Sequence, residues 1–373
     1  MAAAALEQFE TVRMLSAVTP SVPDSAEMTP SFEAGAEYLD ALENAFLNVE
    51  RRADSSEQFY SVAGHLLRLR LAGDALAPLI MPPLEHLRVS SSGAEPALTI
   101  CAWDPETTSV SAPDCPWDTG DGADKAKISV RNWDGVEFAL FKGSGELNVL
   151  DRRRKLGFHC VNRAAAIFSG PLLIQIHWWL SELGLHCIHA GAVGFKEGGA
   201  LLAGRGGSGK STCALCCLDS DLRYVADDHC LLSGPAPHVH SLYSSGKLTP
   251  SQLDKLSFLK PLADSQSSVL ADKTVLFLAR RAGQKLLPGF PVRLVLVPRI
   301  VGGLTTKAVA ISPIEALKAL APSTLFQLIG ASQKDFRAMA ELVRRVPCYR
   351  LELGTDLPAI PRAIEQLLVR SFE

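Results

Sequence analysis

The segment LLAGRGGSGKSTCALCC, residues 201–217, runs from an apolar stretch through a glycine-rich turn into helix-forming residues. Gly204, four residues, then Gly209-Lys210-Ser211 satisfies GxxxxGK[ST] in the strand–turn–helix context that makes the motif specific for nucleotide phosphates. Gly204, Arg205, Gly206, Gly207, Ser208 and Gly209 would turn successive backbone N–H groups inward around phosphate oxygens. Lys210 would neutralise the β and γ phosphates of ATP, Ser211 would ligate magnesium, and Thr212 closes the nucleotide-binding run. The motif alone does not separate kinases from motor, transport or switch proteins.

Seventeen residues beyond Lys210, LRYVADDHCLL places Asp227-Asp228 at the end of a short apolar run. Phosphoryl transfer needs magnesium to bridge the leaving oxygens and a carboxylate to orient or deprotonate the nucleophile; adjacent aspartates can divide those tasks. His189 lies fifteen residues before Gly204, on the apolar run that precedes the loop strand. A single histidine among apolar neighbours more often packs in a core than reacts, so residue type alone leaves both roles open. Residues 239–248, VHSLYSSGKL, offer Tyr243, Ser244, Ser245 and Lys247, either as a solvated loop or as acceptor or nucleotide contacts. Arg280, Arg281 and Arg299 stand at strand ends, and one of them could steady a transferring phosphoryl group.

A chain of 373 residues, 47% hydrophobic and 21% charged, reads as an ordinary globular protein of two or three domains. Its net charge of -3 argues against broad affinity for nucleic acid or anionic membrane, leaving small molecules and protein surfaces as partners. With no basic stretch ahead of the first apolar run and no apolar run of bilayer length, a cytoplasmic location is expected. Nine scattered cysteines fit reduced thiols, and Cys213, Cys216 and Cys217 fit packing on the helix after the loop better than metal or redox work.

The fold class expected is α/β: a glycine-loop kinase domain with a mixed sheet, preceded by a β-rich α+β domain. Residues 1–30 read as a loosely ordered tail, 31–165 as the β-rich domain and 166–373 as the catalytic domain. HLLRLRLAG alternates like a half-buried strand, and Asp134-Gly135 between two alternating runs predicts a two-residue hairpin turn. DRRRK at 151–155 reads as a solvated turn, with a docking patch for an acidic substrate as the alternative. PLLIQIHWWLSELG predicts a helix, HCIHAGAV and GALLAG predict paired strands, and Ser312-Pro313 with Glu315 predicts a capping box.

The ordered set IHAGAV, GRGGSGKST and LRYVADDHCLL resembles the C-terminal catalytic domain of the HPr kinase/phosphorylase family. The resemblance covers about residues 170–240 and implies a glycine loop beside a mixed sheet, related to phosphoenolpyruvate carboxykinases. It implies ATP- and magnesium-dependent phosphorylation of a serine hydroxyl on a protein or peptide partner. By that resemblance His189 is catalytic or positions charge, Asp227 is the general base, and Asp228 holds magnesium with Ser211, directly or through water; the two aspartates could exchange roles. Thr212 stands where the family usually carries Glu, and the EIRG signature has no clear copy, so the acceptor is expected to differ from HPr and phosphorolysis is in doubt. A nucleotide-binding regulatory module without phosphotransfer and a small-molecule kinase remain alternatives. The oligomeric state stays open, a homo-oligomer included.

Overall fold

The computed structural model describes residues 32–90, 93–115, 128–162, 170–263, 269–270 and 273–372. The tail expected at 1–30 lies outside them.

The first sheet is mixed, with strands β1 (Ser55–Val62), β2 (His65–Ala72), β3 (Arg88–Val89), β4 (Leu98–Trp103), β5 (Ile128–Trp133), β6 (Val136–Phe141), β7 (Glu146–Asp151) and β8 (Leu156–Cys160). They lie in the order β3-β1-β2-β4-β8-β7-β6-β5; the β2–β4 and β4–β8 pairs are parallel. Alternation along β2 works as its sequence demands. Leu67, Leu69 and Leu71 are fully buried, while Arg68 pairs with Glu57 and Arg70 with Glu50. Asp134 and Gly135 take φ of 48° and 83°, the left-handed pair that a tight β5–β6 hairpin requires.

The basic run 151–155 is the β7–β8 turn. Arg152 pairs with Glu137, Arg153 with Asp134, Arg154 with Asp40 and Glu43, and Lys155 with Glu95. These charges tie the turn to neighbouring elements.

The helix Phe32–Arg52 covers one face of this sheet with Tyr38, Leu39, Leu42, Phe46 and Val49. On the other face the helix Leu173–Ser181 presents Ile176, Trp178 and Leu180, and the same apolar cluster continues into Cys187 and Leu231 of the second sheet. The two sheets therefore share a core.

The second sheet contains β9 (Leu185–Ile188), β10 (Gly191–Phe195), β11 (Gly198–Leu202), β12 (Arg223–Ala226), β13 (Cys230–Ser233), β14 (His238–Ser241), β18 (Gly289–Ile300), β19 (Lys307–Ala310) and β20 (Cys348–Leu353). Its order is β12-β10-β11-β18-β14-β13-β9, with β20 on β18 and β19 on β20. The β11–β18 and β18–β20 pairs are parallel, so this sheet is mixed too. A small antiparallel sheet, β15 (Ser245–Leu248), β17 (Lys273–Phe277) and β16 (Val269–Leu270), lies apart from it.

Two layers of helix cover the second sheet. Pro313–Leu325 and Gln333–Arg345 bury Leu320, Met339 and Leu342 against Leu201, Val225 and Val295. Lys210–Cys216 and Ala359–Phe372 bury Leu215, Ile364 and Leu368 against Leu202, Leu294 and Leu296 on the opposite side. The capping box expected at Ser312 is half formed: Ser312 Oγ accepts from the Glu315 amide, but the Glu315 carboxylate accepts from Arg350 instead of returning to the cap. Cys213, Cys216 and Cys217 are buried on the helix after the loop, where burial raises all three thiols, Cys216 to about 12. Among the described residues no helix is long and apolar enough to cross a membrane.

Candidate functional site

HCIHAGAV, expected as one strand, breaks in two. β9 stops at Ile188 and β10 starts at Gly191; β12 stops at Ala226 and β13 starts at Cys230. β9 pairs with β13, with Ile188 opposite Cys230, and β10 pairs with β12, with Ala192 opposite Ala226. Both strand pairs thus part at the same level of the sheet. His189 occupies one break, and Asp227, Asp228 and His229 occupy the other. Backbone topology alone brings the upstream histidine against the acidic doublet.

The contacts are specific. His189 Nε2 lies 2.9 Å from Asp228 Oδ1, and the His189 amide donates to Thr324 Oγ1 at 3.0 Å. Burial would raise the Asp228 carboxyl, but His229, His189 and Lys247 together hold it well below the usual range. Asp228 is therefore a carboxylate and only accepts, so His189 carries its proton on Nε2. Burial also lowers the His189 pKa and keeps the ring neutral, and His229 stacks on it at 5.2 Å. Asp228 Oδ2 accepts from Lys247 Nζ at 2.6 Å, with His229 Nδ1 3.4 Å away.

Asp227 stands in a different environment. Its Oδ2 accepts from the Lys247 amide at 2.9 Å, whereas Oδ1 is buried without a hydrogen-bond partner. Burial pushes this carboxyl up to about 6, repulsion from Asp228 adds to the shift, and the nearby Ser211 hydroxyl and Lys247 amide pull against it. One aspartate of the doublet is fixed as an anion. The other is poised near neutrality.

The loop enters from β11 and leaves into the helix Lys210–Cys216, as its motif requires. Gly209 has φ of +107°, and a Cβ there would stand 2.4 Å from Leu353 Cδ1, so no other residue lets the loop lie down on β20. Lys210, 6% exposed, donates to Gly204 O at 2.5 Å and to Arg205 O at 3.4 Å. Burial lowers its pKa, and both aspartates are close enough to oppose that shift. Arg205, Gly206 and Gly207 form the exposed rim, and Ser208 Oγ is buried with no partner. Thr212 Oγ1 accepts from Gln252 Nε2 at 3.0 Å. Lysine, serine, histidine and the doublet share one site.

Segment 239–248 divides in two. Tyr243 donates to Pro171 O and Ser244 to Pro83 O, both inside the protein, whereas Lys247 faces the doublet. Gly246 helps here: a Cβ there would be 2.7 Å from Leu215 Cδ2, so with any other residue the buried leucine would have to shift for β15 to lie this close to the helix after the loop. Arg280, Arg281 and Arg299 are all exposed, and the amine bonded to the doublet is that of Lys247. His229, Thr324 and Gln252 were not singled out in the sequence. The HC dipeptide after the doublet was the available signal for His229, and nothing local marks Thr324, which arrives from a helix 135 positions away.

Among the described residues no group of three or more His, Cys, Asp or Glu side chains is arranged to hold a metal ion. Magnesium needs less protein than that, since it keeps several waters and takes one or two carboxylates together with substrate phosphates. Ser211 beside the doublet fits such an ion held through water, which leaves the buried, unpartnered Oδ1 of Asp227 open as an acceptor. Direct ligation by Asp228 does not fit as well, because His189 and Lys247 already occupy its oxygens.

No family model matches the chain, and no curated protein matches it in sequence. Among solved structures, the Hpr(Ser) kinase/phosphatase from Coxiella burnetii is similar over 50% of this chain and 99% of that one, at 13% identity and a TM-score of 0.29. What the site does is therefore read from its own residues.

Proposed function

We propose that this chain is an ATP- and magnesium-dependent, HPr-kinase-like serine kinase that moves the γ-phosphoryl group to a hydroxyl on a protein or peptide acceptor. The observation that supports it best is the convergence of a GxxxxGK[ST] loop with two aspartates of opposite electrostatic character. The acceptor class follows the family resemblance of residues 170–240.

In this reading the loop amides and Lys210 hold the phosphate chain. Ser211 directly, and the doublet through water, would hold magnesium, which would supply positive charge to offset that of the phosphates. The acceptor oxygen bonds to the γ-phosphorus as the bond to the β-bridging oxygen breaks, ADP leaves, and the hydroxyl proton passes to Asp227 Oδ1. A carboxyl raised to about 6 is suited to that step, because a base works best with a pKa near the working pH. His189 positions Asp228, which in turn holds Lys247.

Incubation with labelled ATP, magnesium and serine-containing peptides or proteins from the native cytoplasm should give a labelled acceptor. Lys210→Ala and Asp227→Asn should each reduce transfer by about 10³-fold or more, with the fold intact by circular dichroism. Full turnover in both variants would overturn the assignment, and ATP binding with no transfer to any acceptor would mark a nucleotide sensor.

A further inference from the structure

One residue grips both carboxylates of the doublet. The Lys247 amide donates to Asp227 Oδ2 at 2.9 Å, and its ammonium donates to Asp228 Oδ2 at 2.6 Å. The first bond needs only a backbone, which β15 supplies through its pairing of Lys247 with Val275. The side chain must therefore be explained by the second bond or by something beyond it. As a neutraliser of Asp228 it is partly redundant, since His189 and His229 already face the same carboxylate.

Its position suggests more. The Lys247 side chain is 20% exposed, and it lies close enough to Lys210 to depress that lysine's pKa. An ammonium has three donors, and a single hydrogen bond to Asp228 leaves two. During transfer the charge spreads over three equatorial phosphoryl oxygens, more than one buried lysine can cover. A compact point charge on a tethered strand is suited to meeting the remainder.

We propose that Lys247 is a catalytic residue whose ammonium, steered by Asp228, contacts the γ-phosphoryl group together with the loop lysine. It takes the role that the sequence offered to Arg280, Arg281 or Arg299. The proposal rests on the phosphotransfer reading for its chemistry, while its binding arm stands apart from transfer.

The test is calorimetric binding of ATP and of ADP with magnesium, together with single-turnover transfer, on wild type, Lys247→Met and Lys247→Arg. For Lys247→Met the expected result is ADP affinity within about twofold of wild type, ATP affinity weaker by about tenfold, and transfer slower by about 10²-fold. Lys247→Arg should recover most of the preference for ATP over ADP. An unchanged ATP-to-ADP ratio in Lys247→Met overturns the proposal, and so does an equal loss for both nucleotides, which would make the lysine structural. If Lys247→Met does not fold, Lys247→Gln is judged by the same ratio. Should wild type transfer phosphate to no acceptor, the kinase reading fails while the ratio still decides whether Lys247 meets the third phosphate.

Discussion

Two histidine–carboxylate pairs lie three residues apart on the run LHCIH, and each closes at 2.9 Å. His186 Nδ1 meets Asp335 at the start of the helix Gln333–Arg345, and His189 Nε2 meets Asp228 at the break between strands. Asp335 is spoken for: its other oxygen accepts from the Ser332 amide at 2.7 Å and the Ser332 hydroxyl at 2.9 Å in a closed capping box. Asp228 belongs to a group with unused capacity, since Asp227 Oδ1, His189 Nδ1 and His229 Nε2 are all buried without partners. Buried polar atoms are normally satisfied, so a cluster of exceptions next to a glycine loop points to a ligand that completes them. The same chemical pair is closed on all sides in one place and is surrounded by unpartnered buried atoms in the other.

The largest expected contrast comes from breaking the second pair. His189→Gln keeps a donor toward Asp228 but loses the rigid ring, and phosphotransfer should fall by about 10²-fold while urea stability stays within about 1 kcal/mol of wild type. Transfer kinetics with ATP binding measured in parallel would decide this; transfer within twofold of wild type would reduce His189 to packing.

The two acids should also respond oppositely to pH. Asp227 has a folded pKa raised to about 6 from 3.8, so its ionisation costs the fold nothing below about pH 4 and the full amount above 6. Asp227→Asn should therefore gain stability over wild type as pH rises from 4 to 8. Burial would raise the Asp335 carboxyl, but His186, His177 and the Ser332 donors together hold it below its usual pKa, so its contribution is present above about pH 4 and disappears as pH falls through the folded value. Asp335→Asn should accordingly be less stable by about 1–2 kcal/mol at pH 7 and approach wild type in acid. Urea unfolding at pH 4, 6 and 8 without magnesium checks both, and parallel trends would erase the distinction drawn between the pairs.

Much of this contrast was legible in the sequence. The loop motif, the doublet and His189 were named from residue type and spacing, because phosphate cradles depend on local backbone chemistry that a short run encodes. The strand alternation of β2 and the Asp134-Gly135 turn were equally local. The break at His189 was missed because HCIHAGAV reads as one apolar run, and the change of strand partner is set by β12 and β13 some forty residues later. Asp335 passed unnoticed as a capping residue, since Ser332 and Asp335 form a box with Asp where the usual signature has Glu or Gln. Lys247 was seen only as a possible contact, because its grip on the doublet depends in part on Gly246 fitting against Leu215.

The smallest expected effect is the one that tests whether the two pairs are independent. His177 is fully buried in the helix Leu173–Ser181, where burial lowers its pKa, Asp335 opposes that shift and His229 adds to it, so its ring senses the charge of both regions. His186→Gln removes the imidazole from Asp335 but leaves both Ser332 bonds, so the cap persists and the cost should be about 1 kcal/mol or less. If the pairs are separate, single-turnover transfer in this variant stays within twofold of wild type. A loss approaching that of His189→Gln would mean that the carboxylate at the helix start and the carboxylate at the strand break act through one buried network, and that the closed pair is part of the site.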